Sequence, residues 1–155
     1  MALLSIDPGR SYKGEPTIGY CLFTDEGEEI ERGEVTFEYL IRQLDMGNNA
    51  LVLWYIEIRT VVIEDFVNDP KSARGGQRNG TSECIGAVEA LCMKSNTKFV
   101  RQRSDTLGPA KLHAGYEQKL KHLPHQDSAF LHGHEYLVRQ GVLSVKGLDA
   151  TVASG

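Results

Sequence analysis

Alternating hydrophobic and polar positions in the first third of the chain predict β-strands. Residues Ala2–Asp7 form a short apolar run that ends in Pro-Gly, and Thr17–Thr24 is rich in strand-forming residues. After the turn sequence Asp25-Glu26-Gly27, residues 29–37 alternate between polar and apolar. Consecutive strands joined by short turns pair with one another. These patterns predict a three-stranded antiparallel meander.

Beyond position 37 the apolar spacing lengthens, which predicts helices between further strands. Apolar residues at positions 37, 40, 41 and 44 recur at helical spacing. Residues 51–58 fit a helix or a strand, and residues 60–66 predict a buried strand. Residues 68–80 form a polar, glycine-rich loop, after which Thr81 is placed to cap a helix. The apolar stripe of that helix is Cys84, Ile85, Val88, Leu91 and Cys92.

The last third of the chain continues the succession of predicted strands and helices. It predicts a strand over residues 98–102, a short helix over 109–116 and a longer helix over 124–140 that Gly141 closes. Three strands followed by helix, strand, helix, strand and helix is an α/β order. We therefore expect one domain over residues 1–141 and a C-terminal tail over 142–155.

Composition fits a single globular domain. The chain has 155 residues, 41% of them hydrophobic and 25% charged. It contains no run of eighteen apolar residues and begins without a signal-peptide pattern, so we expect a soluble protein of the cytoplasm, bacterial or of a phage-infected host. Cys21, Cys84 and Cys92 have neither metal-site nor disulfide spacing and are expected to be buried free thiols.

Charge is distributed unevenly along the chain. The net charge is −4, which taken alone argues against a nucleic-acid partner. However, residues 1–69 carry 14 Asp or Glu and 5 Lys or Arg, whereas residues 70–155 carry 7 and 12. All five histidines also lie in the basic second half. The second half therefore has the composition of a phosphate-binding surface, although a solvated face would look the same.

Three acids stand where rigid elements end or begin. Asp7 ends the first strand, Glu64 follows the apolar run Val61-Val62-Ile63 and should face opposite to Ile63, and Asp127 lies in the first turn of the last helix. Each position also suits an ordinary turn, strand end or helix cap. Together, carboxylates that converge from strand ends and a helix start can bind Mg²⁺ or Mn²⁺, and such a site suits phosphodiester cleavage.

The segments around these acids resemble a known family. Ile-Asp-Pro-Gly at 6–9, Val-Val-Ile-Glu-Asp-Phe at 61–66 and His-Gln-Asp-Ser-Ala at 125–129 are similar, in order and spacing, to the acidic motifs of RuvC-type Holliday-junction resolvases, particularly small phage and prophage members. The resemblance implies an RNase H-like fold with a mixed five-stranded sheet flanked by helices. It also implies a homodimer that cuts four-way DNA junctions with two Mg²⁺ or Mn²⁺ ions, leaving a 5′-phosphate and a 3′-hydroxyl.

By this resemblance Asp7, Glu64 and Asp127 are metal ligands. The family usually has an acid or a histidine three residues before the last aspartate, and here that position is Pro124, which cannot bind metal. The fourth group, a ligand or proton shuttle, is then His125 or His122. Asp149 could complete the cluster, and His132 and His134 are expected to have surface or capping roles.

Basic residues of the second half are candidate DNA contacts. Lys71, Arg74 and Arg78 lie in the loop after the Glu64 strand, Arg101 and Arg103 would share a strand face, and Lys111, Lys119 and Lys121 could hold a DNA arm. The helix over residues 81–95, with its small Gly86 and Ala87, is the expected dimer contact, although its apolar stripe fits the domain core equally well.

Three other functions fit parts of the pattern. An ATPase of the sugar-kinase or actin type shares the Asp-x-Gly turn but needs a second domain, which 155 residues do not supply. A nuclease of the same fold that acts on RNA or an RNA–DNA hybrid would carry the same carboxylates. A non-catalytic DNA-binding module would gain nothing from acids directed at phosphate.

Overall fold

The computed structural model describes residues 1–9, 17–47, 49–65, 80–116 and 123–145. This part of the chain contains six strands and four α-helices. The strands are β1 Ala2–Asp7, β2 Thr17–Thr24, β3 Glu29–Thr36, β4 Val52–Leu53, β5 Ile56–Asp65 and β6 Lys98–Arg103. The helices are α1 Phe37–Leu44, α2 Gly80–Ser95, α3 Leu107–His113 and α4 His125–Arg139, with a 3₁₀ turn at Ser104–Thr106.

The main sheet is mixed and has the strand order β3-β2-β1-β5-β6. The meander β1 to β3 is antiparallel, as predicted, and β5 then pairs with β1 and β6 in parallel. The short β4 pairs antiparallel with the beginning of β5. In β1 and β5 the register matches Ile6 with Ile63, so both strands reach the same sheet edge together.

Side chains of the inner strands alternate between two hydrophobic layers. Leu4 and Ile6 of β1 and Val61 and Ile63 of β5 pack on one face, under α1 and α2. The other face carries Leu3 and Val62 and is covered by α4. Because successive strand residues point to opposite faces, Asp7 and Glu64 lie on the α4 side. The prediction that Glu64 faces opposite to Ile63 is confirmed.

Two glycines allow α4 to lie directly on the sheet. A Cβ at Gly19 of β2 would lie 2.1 Å from the backbone carbon and oxygen of His125, at the start of α4. A Cβ at Gly133 of α4 would lie 2.3 Å from the Phe23 ring. Real Cβ atoms do not approach other atoms this closely, so any larger residue would push the helix away. These contacts fix the height of α4 above β1 and β2.

Most predicted elements are confirmed, with a few differences. Residues 51–58, whose sequence fits a helix or a strand, form a β-hairpin. Its turn residues, Trp54 and Tyr55, have φ values of 51° and 66°. Thr81 does not cap its helix from outside, because α2 already includes Gly80. The predicted helix over 109–116 begins earlier, at Leu107. Leu143, in the predicted tail, still packs against the α4 layer.

The prediction that the cysteines are buried free thiols is confirmed. Cys21, Cys84 and Cys92 are all buried and free. Burial raises the pKa of the Cys84 and Cys92 thiols to about 12, so they behave as small apolar side chains. Within the described ranges, no helix combines the length and the hydropathy needed to cross a membrane.

Candidate active site

The candidate site lies where β1 and β5 end side by side. Asp7 is the last residue of β1, and Glu64 is the penultimate residue of β5. The parallel pairing of Ile6 with Ile63 brings the following residues, Asp7 and Glu64, to one edge of the sheet. Both side chains line a cavity of about 320 Å³, together with Gly9, His125 and Ser128. Two acids of the predicted site therefore converge.

Asp7 is held in place by local and long-range contacts. Its Oδ1 accepts a hydrogen bond of 2.8 Å from the Gly9 amide, and its Oδ2 lies 3.4 Å from His125 Nδ1. Burial alone would raise the pKa of Asp7, but the hydrogen bonds from His125, Gly9 and Ser128 outweigh it and the pKa is lowered. Asp7 is therefore a buried carboxylate that is stabilised in its charged form.

Gly9 itself needs the left-handed conformation that follows Asp7-Pro8. Its φ is +64°, and the Thr81 hydroxyl donates a 2.7 Å hydrogen bond to its carbonyl. This contact ties the Pro-Gly turn to the start of α2. Thr81 thus fixes the turn that positions Asp7, instead of acting as the helix cap that the sequence predicts.

Helix α4 contributes a polar stripe that faces the two acids. His125, Ser128 and His132 are spaced three and four positions apart and so lie on one face of the helix. His125 pairs with Asp7, and the Ser128 hydroxyl donates to Glu64 Oε2 at 3.3 Å. The hydrogen bond to Asp7 raises the pKa of His125, although burial acts in the opposite direction. The amide of His125 donates to Glu34 Oε1, which anchors the helix start.

His132 lies beside Glu64 and is fully buried, which contradicts the expected surface or capping role. Its Nδ1 is 2.9 Å from Gln102 Oε1 on β6, and its Nε2 is 3.5 Å from Glu64 Oε2. His134 is also buried. The sequence did not predict this position of His132, because a single histidine in a helix does not indicate which neighbours it contacts. The spacing of His125, Ser128 and His132 was the pattern that could have identified it.

The Asp127 carboxylate, by contrast, lies outside this cluster. Asp127 Oδ1 is 3.0 Å from Arg32 Nη1 of β3, and its Oδ2 accepts a hydrogen bond of 3.2 Å from the Tyr116 hydroxyl. Asp127 does not line the cavity that contains Asp7 and Glu64. The physical reason is helical geometry, since Asp127 is one position, about 100°, from Ser128 on the helix. Ser128 occupies the inward position three residues after His125.

Three predicted DNA-binding residues fall within the described ranges. Arg101 of β6 contacts Glu89 at 2.6 Å and Asp65 at 3.7 Å, and Arg103 contacts Asp105 at 3.2 Å. Lys111 lies on α3, half-buried. The remaining predicted DNA contacts lie outside the described residues: Lys71, Arg74, Arg78, Lys119 and Lys121. The same is true of two candidates for the catalytic cluster, His122 and Asp149.

The donor groups suit a divalent cation. Two carboxylates, two imidazoles and a hydroxyl lie at the site, and Mn²⁺ accepts oxygen and nitrogen ligands of this kind. Among the residues that the structure describes, no three His, Cys, Asp or Glu side chains are already arranged as a ligand set. The groups are instead arranged as two carboxylate–imidazole pairs, Asp7 with His125 and Glu64 with His132.

Comparison with known proteins gives structural matches alone. No family model and no curated protein matches the sequence. A Thermus thermophilus RuvC structure in complex with a Holliday junction substrate is 14% identical and has a TM-score of 0.56, covering 93% of this chain and 98% of its own. A second Thermus thermophilus RuvC structure is also 14% identical, with a TM-score of 0.53, covering 93% of this chain and 99% of its own.

A third structure, of LC11-RNase H1 in complex with RNA/DNA hybrid, has a TM-score of 0.32 and adds no support. Identities this low define the fold and leave the activity open. The mixed sheet with its antiparallel meander, parallel additions and flanking helices confirms the predicted fold class. The chain has an RNase H-like fold of the α/β class, and RuvC structures are among its structural neighbours.

Proposed function

We propose that this protein is a metal-dependent endonuclease that cuts four-way DNA junctions. The observation that carries the proposal is the convergence of Asp7 and Glu64, from two adjacent parallel strands, in one cavity with His125 and Ser128. Asp7 is held in its charged form, which is the form in which a carboxylate binds a divalent cation, and Glu64 lies beside it in the same cavity. The RuvC neighbour holds a Holliday junction, which supports branched DNA as the substrate class.

Each residue of the site has a defined task in this proposal. Asp7, Glu64 and His125, which are three of the four metal ligands that the sequence predicts, would hold Mg²⁺ or Mn²⁺. The bound metal would activate the attacking water and neutralise charge on the leaving oxygen. The Gly9 amide keeps the Asp7 carboxylate oriented, and Ser128 does the same for Glu64. The products would be a 5′-phosphate and a 3′-hydroxyl.

Arginines at the edge of the sheet provide a surface for the DNA backbone. Arg101 and Arg103 flank Gln102, which is the register partner of Glu64 on the neighbouring strand. With Arg139 they line one groove next to the site. Arg101 and Arg103 are paired with exposed acids, and ion pairs of this kind contribute at most about 1 kcal/mol each, so phosphates can replace them. Arg139 is instead paired with the buried Glu135.

We also propose that the protein acts as a homodimer through α2. Its apolar stripe, Cys84, Ile85, Val88 and Cys92, belongs to the domain core, so that part of the helix is not available to a partner. The outer face exposes Gly86, Ala90 and Met93, and Met93 is 77% exposed. Small residues at this spacing permit close helix packing. The dimer contact is therefore placed on the outer face of the helix.

One observation favours a second candidate, a non-catalytic DNA-binding module. Because Asp127 is paired with Arg32, two carboxylates remain in the cavity where three are predicted. A module that has lost cutting would still bind branched DNA through its arginines. Such a protein would bind a junction in the presence or absence of a divalent metal and never cut it.

A substrate panel distinguishes these functions. A labelled four-way junction, linear duplex, single-stranded DNA and an RNA–DNA hybrid are incubated with Mg²⁺, Mn²⁺ or EDTA. Paired nicks confined to the junction, lost in EDTA, support the proposal. Cutting of only the RNA strand of the hybrid would assign the site to RNA. Junction binding without metal-dependent cutting would support the non-catalytic module.

A further inference from the structure

The least explained group at the site is the His132 imidazole on α4. His132 is 0% exposed, and its Nδ1 lies 2.9 Å from Gln102 Oε1, which can only accept a hydrogen bond. Nδ1 therefore carries a proton and donates it to Gln102. When the ring is neutral, this leaves the lone pair on Nε2, the nitrogen that lies 3.5 Å from Glu64 Oε2.

The Nε2 atom of His132 has no hydrogen-bond partner in the described part of the chain. Its nearest charged neighbour is Glu64 Oε2, at 3.5 Å. A lone pair opposite a carboxylate oxygen is unfavourable in a buried position, because both groups are acceptors. Either a second ring proton, on Nε2, or a metal cation bound by both atoms removes that conflict.

The separation of the two atoms fits a shared cation. Ligand atoms at about 2.0–2.2 Å from an ion lie about 3.4 Å from each other in the tetrahedral geometry of Zn²⁺ and about 3.0 Å in the octahedral geometry of Mg²⁺ or Mn²⁺. The Glu64–His132 separation is 3.5 Å, and Asp7 Oδ2 and His125 Nδ1 are separated by 3.4 Å. The same carboxylate–imidazole spacing thus occurs at both acids.

We propose that His132 Nε2 binds a divalent cation together with the Glu64 carboxylate, and that Gln102 is the positioning residue that holds the imidazole in the required tautomer. This inference rests on the proposed function, because it assigns a nitrogen ligand to the same metal-dependent site. His132 would supply the donor that Asp127 does not, since Asp127 is paired with Arg32.

The chemistry of the ligand sets the expected metal preference. Carboxylate and water ligands suit Mg²⁺, whereas imidazole suits Zn²⁺ and later transition metals, and Mn²⁺ accepts both kinds of ligand. The site should therefore bind Mn²⁺ and Zn²⁺ more tightly than Mg²⁺. Removal of His132 should weaken Mn²⁺ binding strongly and Mg²⁺ binding little.

Calorimetric titration of the full chain with Mn²⁺ and with Mg²⁺ tests the inference directly. We expect His132→Gln to weaken Mn²⁺ binding by about 10- to 100-fold. The matched control is His113→Gln, because His113 pairs with Glu135 away from the cavity and should bind Mn²⁺ like the wild type. Thermal unfolding of each variant identifies any loss that comes from misfolding.

A second measurement needs no variant of His132. In protein labelled with ¹⁵N-histidine, long-range proton–nitrogen spectra distinguish the two ring nitrogens and report direct metal coordination. We expect His132 to carry its proton on Nδ1 without metal, and its Nε2 resonance to shift when Zn²⁺ is added. A proton on Nε2, or a resonance unchanged by Zn²⁺ and equal Mn²⁺ affinities for wild type and His132→Gln, would overturn the inference.

These binding results are independent of the cutting assay. If His132 binds no metal but the junction is still cut in a metal-dependent way, the inference fails and the proposed function stands. If the wild type binds Mn²⁺ through His132 and cuts nothing, the inference stands and the proposed function fails. If the wild type binds no divalent metal, the inference fails, and junction cutting in EDTA then shows whether the protein is a metal-independent nuclease.

Discussion

Arg32 Nη1 lies 3.0 Å from Asp127 Oδ1, and this ion pair holds the Asp127 carboxylate towards β3 and away from Asp7 and Glu64. Arg32 also contacts Glu29 and lies 4.0 Å above the Phe130 ring. Hydrogen bonds to Glu29 are the main cause that raises the pKa of the Arg32 guanidinium. The arginine therefore joins β3 to the first turns of α4.

Replacing Arg32 by methionine should destabilise the fold by about 1–3 kcal/mol, because it leaves the partly buried Asp127 carboxylate without its charged partner. The comparison is Arg42→Met, which breaks a pair with Glu38 whose side chains are 75% and 70% exposed. That change should stay within about 0.5 kcal/mol. Denaturant unfolding measures both. Equal effects of the two substitutions would show that the Arg32–Asp127 ion pair does not contribute to the stability of the fold.

The close approach of β2 and α4 predicts that Gly19→Ala is damaging. The new Cβ would meet the His125 backbone at 2.1 Å, so the start of α4 must move, at a cost of about 1–3 kcal/mol. Because His125 moves with it, cutting should also fall. Gly108→Ala in α3 is the control, since no atom lies within 4 Å of its Cβ, and it should stabilise the protein by about 0.4–1 kcal/mol. Wild-type stability of Gly19→Ala would contradict the packing described for α4.

The hairpin between β4 and β5 stores backbone strain at Tyr55. This residue has a φ of 66° although its side chain is 99% exposed and gains nothing from packing. Tyr55→Gly should therefore stabilise the protein by about 1 kcal/mol. Trp54 also has a positive φ, but its ring packs near Tyr20 and Tyr39, so Trp54→Gly should destabilise. Thermal unfolding should show a higher melting temperature for Tyr55→Gly and a lower one for Trp54→Gly than for the wild type.

The proposed dimer predicts that a charge on the outer face of α2 separates the subunits. Ala90 is exposed and lies four positions after Gly86 on this face, so Ala90→Arg adds a long cation there without touching the core. We expect sedimentation to show a dimer for the wild type and a monomer for the variant. A lysine substitution at Met46, which is 69% exposed on another element, is the control and should remain dimeric. A wild-type monomer at all concentrations tested would contradict the dimer.

Local patterns predicted most of the fold. The strands Ala2–Asp7 and Thr17–Thr24 are found at their predicted bounds, because alternation and the Pro-Gly turn are decided within a few residues. The segment around Trp54 and Tyr55 was ambiguous, since a hairpin turn with two positive φ values normally has Gly or Asn there. Tertiary packing of Trp54 overrides the local preference.

The sequence predicted only the part of the site that depends on local patterns. Asp7 and Glu64 end strands, so their directions follow from alternation and their meeting follows from parallel pairing. Which face of α4 meets them depends on the rotation of a helix, and one residue changes that direction by about 100°. The rotation is decided by distant contacts, such as Gly19 under His125 and Arg32 beside Asp127. Sequence motifs therefore indicated Asp127, while the structure places Ser128 and His132 towards the acids.

The most direct test of the central claim compares binding and cutting of one labelled four-way junction by the wild type, Asp7→Asn, Glu64→Gln and Asp127→Asn. We expect the wild type to cut with Mn²⁺, Asp7→Asn and Glu64→Gln to bind the junction at least as tightly without cutting it, and Asp127→Asn to cut within about tenfold of the wild type. A tenfold difference in rate corresponds to about 1.4 kcal/mol in the activation free energy of cutting. Cutting by Asp7→Asn or Glu64→Gln at the wild-type rate would contradict the assignment of the active site to the ends of β1 and β5.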